Sequence, residues 1–269
     1  MSLIPPSAEC GDSESQFNLG MRYKNGDGVT KDETEAVKWF RLAADQGNCD
    51  AQHNLGVCLA EGYGVPMDMM EAIKWFRLAA NQGNDRSQCN LGIIYSTDRG
   101  VTEDYVEAGK WLRLAADQGN VRAQCCLGFL HLSGLGVPKD EKEAVKWDRL
   151  AVDQGYAPAQ VILGTSYWGG FGVPRNNVEA VKWYRSAAEQ GNSNGCFRLG
   201  VAYEKGTGVS KDFVLAHMWF SKSAAEQNSK AEEARKALED QMTPEQIKEA
   251  RKMSREWLEN TRKTESTIL

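Results

Sequence analysis

Histidine and cysteine are the residues here best suited to metal binding or nucleophilic chemistry, and neither occurs at a spacing that such chemistry requires. The three histidines, His53, His131 and His217, form no H-E-x-x-H motif. No C-x-x-C occurs among the seven cysteines, which argues against zinc and thioredoxin-like redox sites. The cysteines are Cys10, Cys49, Cys58, Cys89, Cys125, Cys126 and Cys196. Their odd number and irregular placement predict buried free thiols in a reducing compartment.

Serine and carboxylate chemistry is equally unsupported by the motifs. Neither S-x-x-K nor G-x-S-x-G is present, so the serine acyl-enzyme classes lack their nucleophile motif. Asp and Glu are scattered and belong mainly to helix caps or to i,i+3 pairs such as Glu71 with Lys74. The sequence therefore predicts a non-enzymatic protein with no catalytic residues, metal or cofactor.

Composition narrows the class of partner and the compartment. The chain has 269 residues and a formal net charge of −5, which argues against a nucleic-acid surface. No apolar run approaches the roughly 20 residues that span a bilayer, so no membrane insertion is expected. The first residues, MSLIPPSAEC, show no signal peptide. A cytoplasmic location is therefore expected, with a periplasmic or secreted one left open if a leader has been removed.

A strict repeat of 36 residues supplies the elements that position the remaining side chains. Four series of residues keep this step through the chain. Leu-Gly has its leucine at Leu19, Leu55, Leu91, Leu127, Leu163 and Leu199; the others are Trp39, Trp75, Trp111, Trp147, Trp183 and Trp219; Ala36, Ala72, Ala108, Ala144, Ala180 and Ala216; and Val29, Val65, Val101, Val137, Val173 and Val209. Four series in one register predict six tandem structural units without insertion or deletion.

Each unit is predicted to fold as two antiparallel helices. In the second repeat, helix A covers about 51–62 and helix B about 71–83, each with one apolar stripe at helical spacing. Gly62-x-Gly64 ends helix A, and Asp68 with Glu71 is a capping box that opens helix B. Gly56 and Ala72 are small enough to let the two helices approach closely.

The predicted organisation is a solenoid of repeats between a short lead-in and a C-terminal segment. The lead-in is 1–14, the repeats are 15–50, 51–86, 87–122, 123–158, 159–194 and 195–230, and the segment 231–269 holds a capping helix and tail. Thr243-Pro244 reads as the N-cap and first residue of that helix. Such an atypical helix would cover the apolar face left by the last repeat.

These repeats resemble the Sel-one-like repeat family, a branch of the tetratricopeptide-repeat superfamily. The motifs that carry the resemblance are nearly complete at 51–56 (Ala-Gln-x-x-Leu-Gly), 62–65 (Gly-x-Gly-Val), 71–76 (Glu-Ala-x-Lys-Trp-Phe) and 79–84 (Ala-Ala-x-Gln-Gly-Asn). The resemblance implies an all-α, right-handed superhelix with helix A on the concave face and helix B on the convex face. It also implies an adaptor or scaffold role. Some bacterial cysteine-rich relatives are described as β-lactamases or binders of cell-wall fragments, but they carry a cysteine pair in each repeat that this sequence lacks.

If helix A lines a groove, one stripe of its residues faces a bound partner. Counted from each Leu-Gly leucine, the stripe holds positions −2, +2, +5 and +6. The candidate partner-binding residues are Phe17, Lys24, His53, Glu61, Cys89, Ile93, Thr97, Cys125, Phe129, Leu132, Val161, Thr165, Trp168, Phe197, Glu204 and Lys205. Phe129 and Trp168 are the expected anchors, because exposed aromatic residues dominate interface energies. The +2 residues Met21, Val57, Ile93 and Val201 are also explained by packing between neighbouring helices.

Two positions depart from the repeat. Asp98-Arg99 stands where Gly-x-Gly is expected, which we interpret as drift within the third repeat, with a functional loop as the alternative. Asp148 replaces the aromatic or leucine residue that follows tryptophan in the other units, and we predict that it is exposed on the convex face.

The leading functional hypothesis is a scaffold that binds a protein or peptide segment in the groove, with a monomer favoured and the partner's identity left open. A binder of muropeptides or a β-lactamase-like protein is the alternative. A third interpretation is a fold without a groove ligand that uses its convex face or self-association. The C-terminal Ser266-Thr267-Ile268-Leu269 also matches a loose PDZ-docking pattern.

Overall fold

A computed structural model describes residues 11–98 and 101–268, with side chains as far as Trp257. These residues form fourteen helices and no strands, so the all-α prediction is confirmed. None of these helices combines the length and apolar character needed to cross a membrane. Cys10, Arg99 and the side chains of the C-terminal tetrapeptide, on which three of the interpretations above depend, lie outside the described residues.

The helices fall into two compact units, one ending at Lys139 and one beginning at Asp140. The first unit contains α1 (Ser13–Asn25), α2 (Glu33–Asp45), α3 (Cys49–Glu61), α4 (Met69–Asn81), α5 (Asp85–Tyr95), α6 (Tyr105–Asp117) and α7 (Val121–Ser133). The second contains α8 (Glu141–Asp153), α9 (Ala157–Gly169), α10 (Asn177–Glu189), α11 (Ser193–Lys205), α12 (Phe213–Ala225), α13 (Ser229–Glu239) and α14 (Pro244–Ile268).

Side-chain caps start both helices of a repeat, except at α9, whose N-cap Tyr156 forms no such bond. The predicted cap Asp68 is confirmed, because it accepts the Glu71 N–H at 2.8 Å. The equivalent residues of the other repeats cap helix B in the same way: Asp32, Asp104, Asp140, Asn176 and, although no glutamate follows it three residues later, Asp212. The structure adds a cap for helix A that the sequence interpretation missed: in the Gln-Gly-Asn motif the asparagine is the N-cap, as when Asn48 accepts a hydrogen bond from the Ala51 N–H at 2.9 Å.

The two helices of a repeat pack through a glycine on helix A. A Cβ atom added to Gly56 would lie 2.8 Å from ring carbons of Phe76, which is fully buried against it. This confirms that a small residue is needed where α3 and α4 cross. The Leu-Gly dipeptide therefore supplies one core side chain, Leu55, and one flat contact surface.

The second glycine of Gly-x-Gly is required by the neighbouring repeat. Gly64 has a φ of +68°, and a Cβ atom there would overlap the backbone carbonyl of Glu33 in the first turn of α2. Gly136, Gly172 and Gly208 meet the backbone at equivalent positions, Tyr105, Glu141 and Asn177. The turn after helix A is thus a repeat-to-repeat contact as well as a helix stop.

A chain of glutamine amides joins successive helices. Gln52 in the first turn of α3 donates to the Ala44 carbonyl at the end of α2, at 3.1 Å. Gln52 also accepts from Gln82, which follows the last residue of α4, at 2.8 Å. Because the start of α3 contacts the ends of both α2 and α4, neighbouring helices are antiparallel and successive A helices run in the same direction.

We expect Gln52→Leu to lower the free energy of unfolding by about 1–3 kcal/mol, because it removes two hydrogen bonds: the one donated to the Ala44 carbonyl, which keeps its bond from the Gly47 N–H, and the one accepted from the Gln82 amide. Urea denaturation monitored by circular dichroism measures the effect. Gln82→Leu is the matched control, since Gln82 is exposed and its loss leaves Gln52 bonded to Ala44. Equal effects of the two changes would contradict this account.

The prediction for Asp148 is wrong, because its side chain is buried rather than exposed. Only 1% of its surface is accessible, and neither carboxylate oxygen has a hydrogen-bond partner within the part of the chain that the structure describes. Its register matches a series of fully buried core residues: Phe40, Phe76, Leu112, Tyr184 and Phe220. Burial raises the pKa of Asp148 to about 7.

Two further helices follow the sixth repeat. α13 starts 36 residues after α11 and is capped by Asn228, so it continues the register as a seventh A helix. Both α13 and α14 pack against α12. The buried ammonium of Lys222 on α12 lies between the rings of Trp219 and Trp257, 3.9 and 3.7 Å from their centroids. Its pKa falls to about 8, mainly through burial, and this cation–π contact ties α14 to the last repeat.

Candidate functional site

A pocket of about 400 Å³ opens between α3 and α5 in the first unit. Its floor is apolar and includes Val57 and Ala60 of α3, Ile93 and Ile94 of α5, and the ring of Phe76. The volume lies at the lower end of the range for small-ligand sites, which suits one or two amino-acid side chains. The pocket therefore offers apolar burial on the A-helix layer.

Two arginines line one end of this pocket. Arg86 and Arg122 lie in the first turns of α5 and α7. Arg86 forms an ion pair with Asp50 at 2.9 Å, but both side chains are more than half exposed, so the pair is weak. Arg122 is exposed and has no ion pair or hydrogen bond within the described residues. The lining at this end therefore carries two guanidinium groups, with the carboxylates of Asp50 and Asp85 close by and bonded to Arg86 and Asn120.

The arginines replace acidic residues at equivalent positions of the first two repeats. One position of the repeat holds Glu14, Asp50, Arg86 and Arg122 in turn, so the first two repeats carry a carboxylate where the third and fourth carry an arginine. Glu14 accepts a hydrogen bond from Asn18, and the Asp50 backbone carbonyl accepts one from Asn54. The third asparagine of this series, Asn90, lines the pocket and forms no hydrogen bond in the described part of the chain. Its amide is thus available to a ligand.

The opposite end of the pocket carries a negative charge. Glu61, the last residue of α3, lines the pocket and is exposed. Because the A helices run in the same direction, the first turns that carry Arg86 and Arg122 lie at the other end of this layer. The two ends of the pocket therefore differ in their charged side chains, with arginines at one end and Glu61 at the other.

Burial keeps His53 and Cys89 uncharged at the pocket wall. The pKa of His53 falls to about 4 because its ring is buried, with a further contribution from the charge of Arg86. The His53 Nδ1 atom lies 2.8 Å from the Ser87 hydroxyl. Burial raises the pKa of the Cys89 thiol to about 12. Neither residue has the charge state of a nucleophile or an acid at neutral pH.

Four predicted site residues, His53, Glu61, Cys89 and Ile93, are brought together here. The others in the first unit have different surroundings. The ring centroid of Phe17 lies 6.0 Å from that of Phe40, and Lys24 donates to the Asn54 side chain. The Thr97 hydroxyl donates to the Ile93 carbonyl. Cys125 is buried, Leu132 is half-buried, and Phe129 is 50% exposed. Phe129 is the most accessible aromatic residue among these candidates, as an anchor must be.

In the second unit the predicted residues lie mainly against the core. Trp168 is half-buried 6.3 Å from the ring of Tyr184, and Phe197 lies 5.7 Å from Phe220. Thr165 donates to the Val161 carbonyl at 2.9 Å. Glu204 is half-buried and Lys205 is exposed at the end of α11.

The sequence interpretation missed Arg86, Arg122 and Asn90. The predicted stripe used positions −2, +2, +5 and +6 relative to the Leu-Gly leucine. The two arginines stand at position −5 and Asn90 at position −1, so the stripe did not include them. A change of sign at an equivalent position, from Glu14 and Asp50 to Arg86 and Arg122, is the signal that would have found the arginines.

The described part of the chain contains no group of three or more His, Cys, Asp or Glu side chains able to hold a metal. Its six described cysteines are free. The helices, the period and the contacts between repeats define the class of the protein as an all-α repeat solenoid.

Six consecutive Sel1 repeat matches cover residues 13–48, 49–84, 85–120, 121–156, 157–192 and 193–228. The chain therefore belongs to the Sel1 repeat family, as its motifs indicated. Sel1 repeat proteins are generally protein-interaction scaffolds and are typically non-enzymatic.

Solved structures agree with this assignment. A Sel1 repeat protein from Oxalobacter formigenes is 31% identical with a TM-score of 0.77, and the match covers 82% of this chain and 88% of that one. The protective antigen c5321 of uropathogenic Escherichia coli, which has an SLR fold, is 36% identical with a TM-score of 0.63, over 91% of this chain and 60% of that one. The immunity protein Pa5087 of Pseudomonas aeruginosa shares the fold at 22% identity, with a TM-score of 0.51 and 84% of each chain covered. The comparison with curated proteins gives no match.

Proposed function

We propose that this protein is a non-enzymatic scaffold that binds a segment of a partner protein on its A helices, with the pocket between α3 and α5 as the principal contact. The pocket itself carries the proposal: it combines an apolar floor with arginine and asparagine side chains. Such a combination of burial and oriented polar groups is typical of recognition sites. The Cys89 thiol is protonated at neutral pH and so lacks the charge of a thiolate nucleophile, in keeping with a binding role for the pocket.

The remaining predicted residues stay proposals, each within its own compact unit. In the first unit, Phe129 is the accessible aromatic side chain that would anchor a longer segment. In the second unit, Lys205 offers an exposed charge. The alternative, a binder of cell-wall fragments or a β-lactamase-like protein, gains no observation from the described residues.

Selection from a random-peptide display library tests the proposal. We expect peptides to be enriched on the wild-type protein and to lose at least tenfold in affinity on Ala60→Trp, which fills the pocket. Leu78→Trp is the matched control, because it adds the same side chain at an exposed position of α4 outside the pocket. Thermal denaturation must show that both variants are folded.

Two outcomes would contradict the proposal. The first is a selection that enriches no peptide on the wild-type protein. The second is enrichment of peptides that bind the Ala60→Trp and Leu78→Trp variants equally well, since their site would then lie outside the pocket.

A further inference from the structure

We infer that the pocket between α3 and α5 selects a peptide segment in which an aspartate or glutamate side chain neighbours a bulky aliphatic one. This inference rests on the proposed function and names the chemistry of the partner. It follows from three features of the pocket lining: the arginines Arg86 and Arg122, of which Arg122 has no ion pair within the described residues, the amide of Asn90, and the apolar side chains.

The cationic groups supply the charge complementarity. Arg122 has no ion pair within the described residues, and Arg86 is held only by an exposed pair with Asp50. An incoming carboxylate gains Arg122 as a partner without breaking a contact. It can also draw Arg86 away from Asp50 at little cost, since exposed ion pairs contribute little. Guanidinium groups bind carboxylates through paired N–H donors, which makes the contact directional.

The asparagines at the equivalent positions 18, 54 and 90 support the proposal that a ligand binds at the arginine end of the pocket. Asn18 and Asn54 use their amides within the first two repeats, whereas Asn90 has no partner in the described part of the chain and lines the pocket. Asn120 is already committed, because it caps α7 and donates to Asp85 at 2.8 Å. Asn90 therefore is the amide left to bond the peptide backbone or the carboxylate.

The surrounding helices reinforce the same preference. α5 and α7 have 11 and 13 residues, and their first turns, which carry the positive ends of the helix dipoles, hold Arg86 and Arg122. Val57 and Ile93 lie further along the A helices, and Ala60 lies next to Glu61; together they form apolar surface that suits a leucine, isoleucine or methionine side chain. Glu61 at the far end disfavours an acidic group there and so fixes the direction of the peptide.

The test uses the peptides enriched on the wild-type full chain, synthesised with a fluorescent label and titrated by fluorescence anisotropy. We expect Asp or Glu in the enriched sequences and an affinity that falls roughly tenfold on Arg122→Glu. Lys74→Glu is the control, because it makes the same charge change at an exposed position of α4 outside the pocket. The affinity of the Lys74→Glu variant for the enriched peptides should stay within about twofold of the wild-type value.

A charge-swapped pair makes the test specific. A peptide whose acidic residue is replaced by lysine should bind poorly to wild type and regain affinity on Arg122→Glu. Enriched peptides that lack an acidic residue, but are lost on Ala60→Trp, would overturn this inference and leave the proposed function standing. Equal effects of Arg122→Glu and Lys74→Glu would also overturn it. Binding of a phosphoserine peptide with no binding of its glutamate counterpart would overturn the assignment of a carboxylate ligand.

Discussion

Gly64→Ala is expected to lower the free energy of unfolding by more than about 3 kcal/mol, because the new methyl group would overlap backbone atoms of the preceding repeat and strain a left-handed residue. The overlap is with the Glu33 carbonyl and the Thr34 nitrogen, which belong to the first turn of α2. Backbone atoms of a helix cannot move aside as a side chain can. Urea denaturation followed by circular dichroism measures the loss.

Gly83→Ala separates the two causes of this destabilisation. Gly83 also has a positive φ, +95°, but a Cβ atom there would meet nothing within 4 Å. The free energy of unfolding of this variant should therefore fall by only about 1–2 kcal/mol, the cost of placing alanine in a left-handed conformation. If Gly64→Ala and Gly83→Ala were equally destabilised, the contact between the turn and α2 would contribute nothing to stability, contrary to the structure.

Asp148→Leu is expected to stabilise the protein, by on the order of 4 kcal/mol above neutral pH, because it removes a buried carboxylate without a hydrogen bond. The magnitude follows from a pKa raised from 3.8 to about 7, at about 1.4 kcal/mol per pKa unit. Leucine is the chosen substitute because Leu112 occupies the same position of the third repeat and is fully buried.

The pH dependence gives this prediction a second observable. Because folding raises the pKa of Asp148, the folded protein keeps a proton between pH 3.8 and about 7 that the unfolded chain has lost. The contribution of Asp148 to the free energy of unfolding therefore becomes less favourable as the pH rises through this range and is constant above it. The stability difference between Asp148→Leu and wild type should be small at about pH 4 and largest at about pH 8.

Asp148→Asn is the control for shape, since it keeps the size and polarity of the side chain and cannot ionise. It should lack the part of the pH dependence that wild type shows between pH 3.8 and about 7. A wild-type profile that matches the Asp148→Asn profile over this range would show that Asp148 does not titrate on folding.

The fold was predictable because one period governed helix, cap and turn residues together. Leu55, Gly56 and Phe76 keep a 36-residue register that only a repeat array explains, and Asp68 and Gly62 mark helix ends by local chemistry. The exposure of Asp148 was mispredicted because its charge was given more weight than its register. That register, shared with Phe40 and Tyr184, indicated a core position.

The candidate site was predictable only in part. Helical spacing identified His53, Glu61 and Ile93 as neighbours on the A helices, and all three line the pocket. It could not show that Asn54 donates to the Asp50 carbonyl of its own helix and accepts from Lys24 of the preceding repeat while Asn90 has neither bond among the described residues, because all three asparagines of the series occupy the same position of the repeat. The role of His53, Glu61 and Ile93 in binding a partner stays a prediction.

The way the array ends determines how a gene of this kind can lengthen. α13 begins where a seventh repeat would begin, and α14 then follows in place of a regular helix B. Lys222, held between Trp219 and Trp257, fixes this ending to α12. Duplication of an internal block of 36 residues would copy the cap and turn residues of one whole repeat, and in a solenoid each repeat packs on its neighbours. Such a duplication leaves α13 and α14 following the last repeat, so this architecture accommodates growth by internal duplication.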